Sequence, residues 1–130
     1  MKNVLVVEDS KAIRSMIRMA LEETGGFLVA EAGNGFEALK ALPMQPLDLI
    51  ITDINMPDIN GLELIGYVKS NPAYSTIPLV IVSTEKTEED KKRGLALGAS
   101  GYVVKPFKKE DLMAVVMKVL EGSTRTGATR

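Results

Sequence analysis

The chain has 130 residues, 45% hydrophobic and 25% charged, with a net charge of −1; that is the length of one domain with its own core, and a charge that gives no general reason to bind nucleic acid. It contains no Cys and no His, which excludes disulfides, thiolate chemistry, imidazole metal ligands and every catalytic arrangement that uses its own His. No apolar run reaches the roughly 18 residues of a membrane span, and Met1-Lys2-Asn3 leads straight into an apolar run without signal-peptide organisation, so the expected compartment is the cytoplasm.

Val4–Val7 is the first predicted strand. Ser10 to Thr24 reads as a helix, with Ile13, Ile17, Ala20, Leu21 and Thr24 at helical spacing and Gly25-Gly26 as the stop. Phe27–Ala30 is a short strand, Asn34-Gly35 a turn, and Phe36–Leu42 a short helix ended by Pro43 and Pro46. The run Leu47-Asp48-Leu49-Ile50-Ile51-Thr52-Asp53 is a buried strand that Ile54-Asn55-Met56-Pro57 cannot extend. Asn60 with Glu63 forms an approximate capping box for a helix that turns Leu62, Ile65 and Val68 inward and closes at Asn71-Pro72. Pro78–Val82 is the fourth strand. An acidic start between Thr87 and Asp90, favourable to the helix dipole, opens a helix that Gly98 ends. Gly101–Val104 is the fifth strand, broken by Lys105-Pro106, and Glu110–Leu120 the last helix, with Leu112, Val115, Val116 and Val119 on its core face. The polar stretch from Gly122 reads as frayed, which gives a domain over 1–122 and a flexible tail over 123–130. Five short apolar strands alternating with five helices call for an α/β fold, a parallel sheet covered on both faces.

Chemistry gathers at the strand ends. Asp53 sits at the tip of the third strand, and Glu8-Asp9 end the first in the same way; the carboxyl end of such a sheet is where ligand crevices form. If those strands are neighbours, three carboxylates share one pocket, and a divalent cation offsets their repulsion. Oxygen-only ligands favour Mg²⁺, Mn²⁺ or Ca²⁺. Ser83-Thr84 follow the fourth strand and Lys105 the fifth. Carboxylates, a hydroxyl and an ammonium make a set suited to phosphoryl transfer without His, in which a carboxylate can be the nucleophile. Taken singly, each has a plainer role: Asp9 as a helix cap, Ser83 as a strand-end cap, Lys105 as a solvated lysine, Tyr102 as a half-buried aromatic.

Val6-Val7-Glu8-Asp9-Ser10, Thr52-Asp53-Ile54-Asn55-Met56-Pro57, Asn60-Gly61, Val82-Ser83 and Val103-Val104-Lys105-Pro106-Phe107 together resemble the receiver domain of two-component response regulators. The resemblance runs from about Lys2 to Leu120 and is closest to single-domain, CheY-like receivers. It implies the doubly wound flavodoxin/CheY-like sheet with strand order 2-1-3-4-5 and a cis bond before Pro106. It implies that Asp53 is the phosphoacceptor, taking a phosphoryl group from the phosphohistidine of a histidine kinase or phosphotransfer domain. Glu8, Asp9, Asp53 and the backbone carbonyl of Asn55 would hold Mg²⁺, for which Mn²⁺ can substitute. Lys105 would pair with one phosphoryl oxygen and Ser83 hydrogen-bond another, while Tyr102, at the aromatic switch position, turns inward as Ser83 moves. Asn55 and Glu85 would tune hydrolysis toward a short-lived phosphoform. An output protein, in chemotaxis or motor signalling, is expected on the face of the fourth helix, fifth strand and fifth helix, at Lys86, Tyr102 and the start of the last helix. The charged run Glu88–Arg93 reads as a solvated surface. The implied protein is a monomer or weak dimer and no enzyme beyond its own Mg²⁺-assisted phosphorylation and dephosphorylation; direct nucleic-acid binding and membrane insertion are not expected.

Two positions depart from the family's commonest pattern. Glu8 stands where Asp is more frequent, so its longer side chain would reach the cation through water, and Ser83 stands where Thr is common. Competing readings are weaker. A phosphatase with an aspartate nucleophile wants a second Asp two residues on, and Asn55 cannot donate a proton that way. A flavin-phosphate binder wants a phosphate loop after the first strand, where Glu8-Asp9 would repel phosphate. A non-phosphorylated adaptor and an isolated receiver of a multidomain DNA-binding regulator remain as alternatives.

Overall fold

A computed structural model of the chain describes residues 1–84 and 88–128, side chains excepted at 90 and 123–128. In order, the elements are β1 (Lys2–Val7), α1 (Lys11–Thr24), β2 (Phe27–Ala32), α2 (Gly35–Ala41) with a 3₁₀ turn at Leu42–Met44, β3 (Leu49–Thr52), α3 (Gly61–Ser70), β4 (Leu79–Ser83), α4 (Glu88–Ala96), β5 (Gly101–Val104) and α5 (Lys109–Ala128).

Local chemistry sets most of the boundaries. Ser10 caps α1 by accepting from Ile13 N (3.3 Å), and Gly25, at φ 85°, ends it in a region that costs other residues a Cβ clash. Asn34 caps α2 in the same way, accepting from Glu37 N (2.9 Å). The capping box at α3 is reciprocal: Asn60 Oδ1 accepts from Glu63 N (2.9 Å) and Glu63 Oε1 from Asn60 N (3.0 Å). Several boundaries differ from the sequence reading, most by a single residue, and β1 begins two residues early, at Lys2. β2 runs on to Ala32 because every residue of it pairs with β1. β3 starts at Leu49, since the Asp48 carboxylate turns back to accept from Asn3 N (2.7 Å). α5 continues to Ala128, past Leu120, where the apolar stripe ends; the side chains of the expected tail, 123–130, lie outside the described residues. Thr24 is a correction of face: it is exposed, and its hydroxyl donates back to Ala20 O (3.0 Å) instead of entering the core.

All five strands form one parallel sheet in the order β2-β1-β3-β4-β5, the doubly wound order expected. The period-2 alternation of the central strands sorts their side chains into two cores. Val4, Val6, Leu49, Ile51, Val80 and Val82 face Ile17 and Leu21 of α1 and Leu112 and Val116 of α5. Leu5, Val7, Ile50, Leu79 and Ile81 face Ala38 of α2 and Leu64, Ile65 and Val68 of α3. All four residues of β3 are buried, as an interior strand of a parallel sheet requires. α4 packs close on the second face, because a Cβ at Gly94 would lie 2.3 Å from Ile81 Cδ1. Among the described residues no helix is long and apolar enough to cross a membrane.

Candidate functional site

After β1 the chain crosses to β2 on one side, and β3 then inserts on the other, so the C-terminal ends of β1 and β3 flank the point where the winding reverses. Register does the rest. Val7 pairs with Thr52, and Asp53 N donates to Val7 O (3.0 Å), so Glu8 and Asp53, each one residue beyond its strand, lie side by side. Ser83 pairs with Val104, and Lys105 N donates to Ser83 O (2.9 Å), which places the Lys105 side chain at the same end. The bond from Lys105 to Pro106 is cis.

Carboxylate oxygens of Glu8, Asp9 and Asp53 all lie within 4.8 Å of one another. Glu8 and Asp53 are buried and Asp9 is exposed, giving a pocket with one wet side. Lys105 Nζ bridges the two buried acids, at 2.5 Å from Glu8 Oε1 and 3.2 Å from Asp53 Oδ2. The other oxygens are held by backbone. Ser10 N donates to Glu8 Oε2 (2.9 Å), and Ile54 N donates to Asp53 Oδ1 (2.7 Å), with Asn55 N further off at 3.4 Å. Burial pushes the Glu8 carboxyl above its usual range, and the neighbouring Asp53 charge adds to this, against the hydrogen bonds from Lys105 and Ser10. Burial alone would lower the Lys105 ammonium, but its hydrogen bond to Glu8 and the charges of Asp53 and Glu8 outweigh that, so it is held above its usual range and stays charged.

The remaining expected residues take these places. Ser83 is fully buried at the last position of β4. Tyr102 is half-buried, opposite Ile81 and packed against the second core. Asn55 is exposed on the loop after β3. Glu85 and Lys86 lie outside the described residues. Glu8 reaches Lys105 and the Ser10 amide directly.

Three features of the site have no counterpart in the sequence reading. Arg14 Nη1 donates to the Glu8 backbone carbonyl (2.7 Å). Thr52 Oγ1 donates to the Asp53 carbonyl (3.0 Å). The N-terminus of α3 packs against the backbone of Asp53: a Cβ at Gly61 would lie 2.0 Å from Asp53 O. A glycine at the first residue of a helix, where better helix formers are available, is a usable signal for that close approach; the spacing from Glu8 to Arg14 carries none.

Comparison with known proteins agrees with this fold. Residues 4–117 match the family model described as "Response regulator receiver domain". A probable transcriptional regulatory protein of Picosynechococcus sp. is 42% identical over 118 residues, which are 85% of this chain and 46% of that protein; the chain thus spans less than half the length of this curated relative. Among solved structures, the chemotaxis protein CheY4 of Vibrio cholerae is 38% identical with a TM-score of 0.86, covering 92% of this chain and 98% of that one. A CheY-like response regulator receiver domain protein from Methanospirillum hungatei is 25% identical with a TM-score of 0.89, covering 97% and 98%. With the family matched over nearly the whole sheet and the acids, hydroxyl and ammonium at its strand tips, the chain belongs to the response regulator receiver domain family of two-component signalling and has the CheY-like fold.

Proposed function

We propose that Asp53 is the phosphoacceptor of this receiver. The observation that carries the reading is the meeting of Glu8, Asp9 and Asp53 within 4.8 Å with the Lys105 ammonium 3.2 Å from Asp53 Oδ2. An Asp53 carboxylate oxygen attacks the phosphorus of a phosphohistidine on a kinase or phosphotransfer partner; the new O–P bond forms as the P–N bond breaks and the imidazole keeps its electron pair. These 130 residues contain no His, so the phosphohistidine lies outside this domain. Ile54 N fixes the second Asp53 oxygen and with it the direction of attack. Lys105 pairs with a phosphoryl oxygen, and the Ser83 hydroxyl hydrogen-bonds another.

The donor set fits a hard divalent cation, being all oxygen and rich in charge. Glu8, Asp9, Asp53 and the Asn55 carbonyl would hold Mg²⁺ or Mn²⁺, which when bound neutralises charge on the transferred group. The protein turns over nothing but its own phosphoryl group, which Asn55 and Glu85 make short-lived. Charge added at the β3 tip draws Ser83, and Tyr102 turns further inward, changing the face of α4, β5 and α5 offered to an output protein in the cytoplasm. We infer a monomer or weak dimer with no direct contact to nucleic acid and no membrane insertion. The likeness to CheY4 favours chemotaxis signalling. A second reading, a receiver serving a DNA-binding output, is favoured by the Picosynechococcus relative of more than twice the matched length.

The test is an intact mass taken promptly after mixing protein, Mg²⁺ and acetyl phosphate. A gain of one phosphoryl group is expected, lost in Asp53→Asn and reduced by chelation. No gain with any small phosphodonor overturns the reading, and a phosphoform that persists for hours overturns the short lifetime.

A further inference from the structure

The acids of the site are themselves held, and by residues that phosphoryl transfer does not touch. Glu8 and Asp9 occupy the two positions between the last residue of β1 and the cap Ser10, a turn with little structure of its own. Glu8 N is fixed by the sheet, donating to Ala32 O (3.0 Å). Where that ladder stops, the donor to the Glu8 carbonyl comes instead from Arg14 Nη1 (2.7 Å). The same guanidinium donates through Nε to Glu31 Oε1 on β2 (2.8 Å), and the Arg14 side chain is 17% exposed. The second Glu31 oxygen is taken by Arg18 Nη1 (2.5 Å), and Arg18 is anchored to Glu22 (3.1 Å). The turn is thus gripped at its carbonyl by a planar fork braced against a neighbouring strand. Only Arg can offer donors in fixed directions to a carbonyl and a carboxylate at once; Lys has one charged atom to share.

We propose that Arg14, braced by Glu31, is a positioning residue that fixes the β1–α1 turn in the form that brings Glu8 and Asp9 to Asp53, and so sets the affinity of the site for its divalent cation. The inference rests on the reading of these acids as a cation site. Partners one shell outside a metal's ligands orient those ligands and govern affinity in this way. The guanidinium is also a positive charge near the acids, and as a charge alone it would weaken cation binding. Grip and charge therefore predict opposite signs when Arg14 is removed.

The experiment is calorimetric titration of Mg²⁺ into the chelator-treated full chain, for wild type, Arg14→Lys, Arg14→Ala and Glu31→Gln, beside melting curves taken without Mg²⁺. Arg14→Lys, which keeps the charge, is expected to weaken Mg²⁺ binding roughly tenfold, the low end for such outer partners. Arg14→Ala is expected to weaken it also, and Glu31→Gln less. Phosphorylation of Arg14→Lys by acetyl phosphate should return to the wild-type rate once Mg²⁺ is raised in proportion, because the reacting groups are intact. Unchanged affinity in Arg14→Lys with a lowered melting point would make Arg14 merely structural, and tighter binding in Arg14→Ala would make it merely a charge; either overturns the inference alone. Wild-type protein that binds no Mg²⁺ in a manner sensitive to Asp53→Asn overturns both the inference and the cation site beneath it.

Discussion

Replacing Gly61 by Ala puts the coupling of fold to site under direct strain. The added Cβ would lie 2.0 Å from Asp53 O and 2.8 Å from both Asp53 C and Ile54 Cα. Every one of these is a backbone atom, so no flexible side chain can give way. Restoring the ordinary 3.4 Å to Asp53 O means parting helix and loop by about 1.4 Å. If α3 moves, it loses the Gly61 N to Ile54 O bond of 2.8 Å and the capping box beside it. If the loop moves, Asp53 leaves Lys105. Overpacking of this kind costs up to about 3 kcal/mol, roughly 10 °C of melting temperature in a domain of this size. A displacement near 1 Å at a reacting group costs about 100-fold in rate. Gly66, on the same helix, has nothing within 4 Å of its Cβ position; Gly66→Ala should stabilise by about 0.5–1 kcal/mol and leave phosphorylation unchanged. The assay is thermal melting of both variants with the initial rate of Asp53 phosphorylation from acetyl phosphate. A Gly61→Ala protein with wild-type melting and wild-type rate would refute the steric argument, as would equal damage from Gly66→Ala.

Three further outcomes are expected. Lys105→Met leaves Glu8 and Asp53 buried without their cation; because Lys105 retains 11% exposure, the loss should fall below the usual range for a broken buried pair, about 2 kcal/mol in chelator. Mg²⁺ should recover part of it, and denaturation curves with equal loss in both conditions would count against a shared charge site. Hydrogen bonds from Arg18, and then Arg14, hold the Glu31 carboxyl below its usual range. A depressed carboxyl contributes stability above its unfolded value, near 4.5, and loses it as pH falls through the folded value. The stability gap between wild type and Glu31→Gln should therefore be full at neutral pH and close in acid; a gap independent of pH in urea denaturation would show that the pairing is not its cause. Asn60→Ala removes one half of the capping box and should cost about 1 kcal/mol, read from the same urea curves; no loss would mean that α3 is held by packing alone.

How much of this is legible in the chain follows from what each feature depends on. Strands such as Leu49–Thr52 and caps such as Ser10 and Asn60 are local, so alternation and side-chain chemistry alone disclose them. Convergence of Glu8, Asp9, Asp53 and Lys105 depends on strand order, which no local pattern contains; it comes with the family resemblance. The register from Val7 to Thr52 then supplies the side-by-side placement that makes the resemblance physical. What stays hidden is contact across turns. In the sequence Arg14 is one of several charges on the outer face of α1, and its aim at the Glu8 carbonyl depends on where β2 places Glu31. The end of α5 is hidden for a related reason: the apolar stripe marks where packing ends, at Leu120, whereas the hydrogen-bonded backbone continues to Ala128.

The same contacts explain why the acids can sit so close together. Three carboxylates, from Glu8, Asp9 and Asp53, face one ammonium at Lys105, which leaves two negative charges uncompensated when all are ionised. Burial raises the cost of that excess at Glu8, whose carboxyl is accordingly pushed up. A divalent cation would close the balance, and the proposed conversion of Asp53 to a phosphorylated form, carrying up to about two negative charges, would open it again. The group best placed to respond is Lys105, already shared between two acids and fixed through its backbone to Ser83. Charge added at the β3 tip by the proposed phosphorylation would thereby be felt at the end of β4 and along β5, where Tyr102 lies against the core. On the proposed function, a single lysine that bridges two buried acids and follows the last strand of the sheet would link the chemistry at one end of β3 to the outer strand.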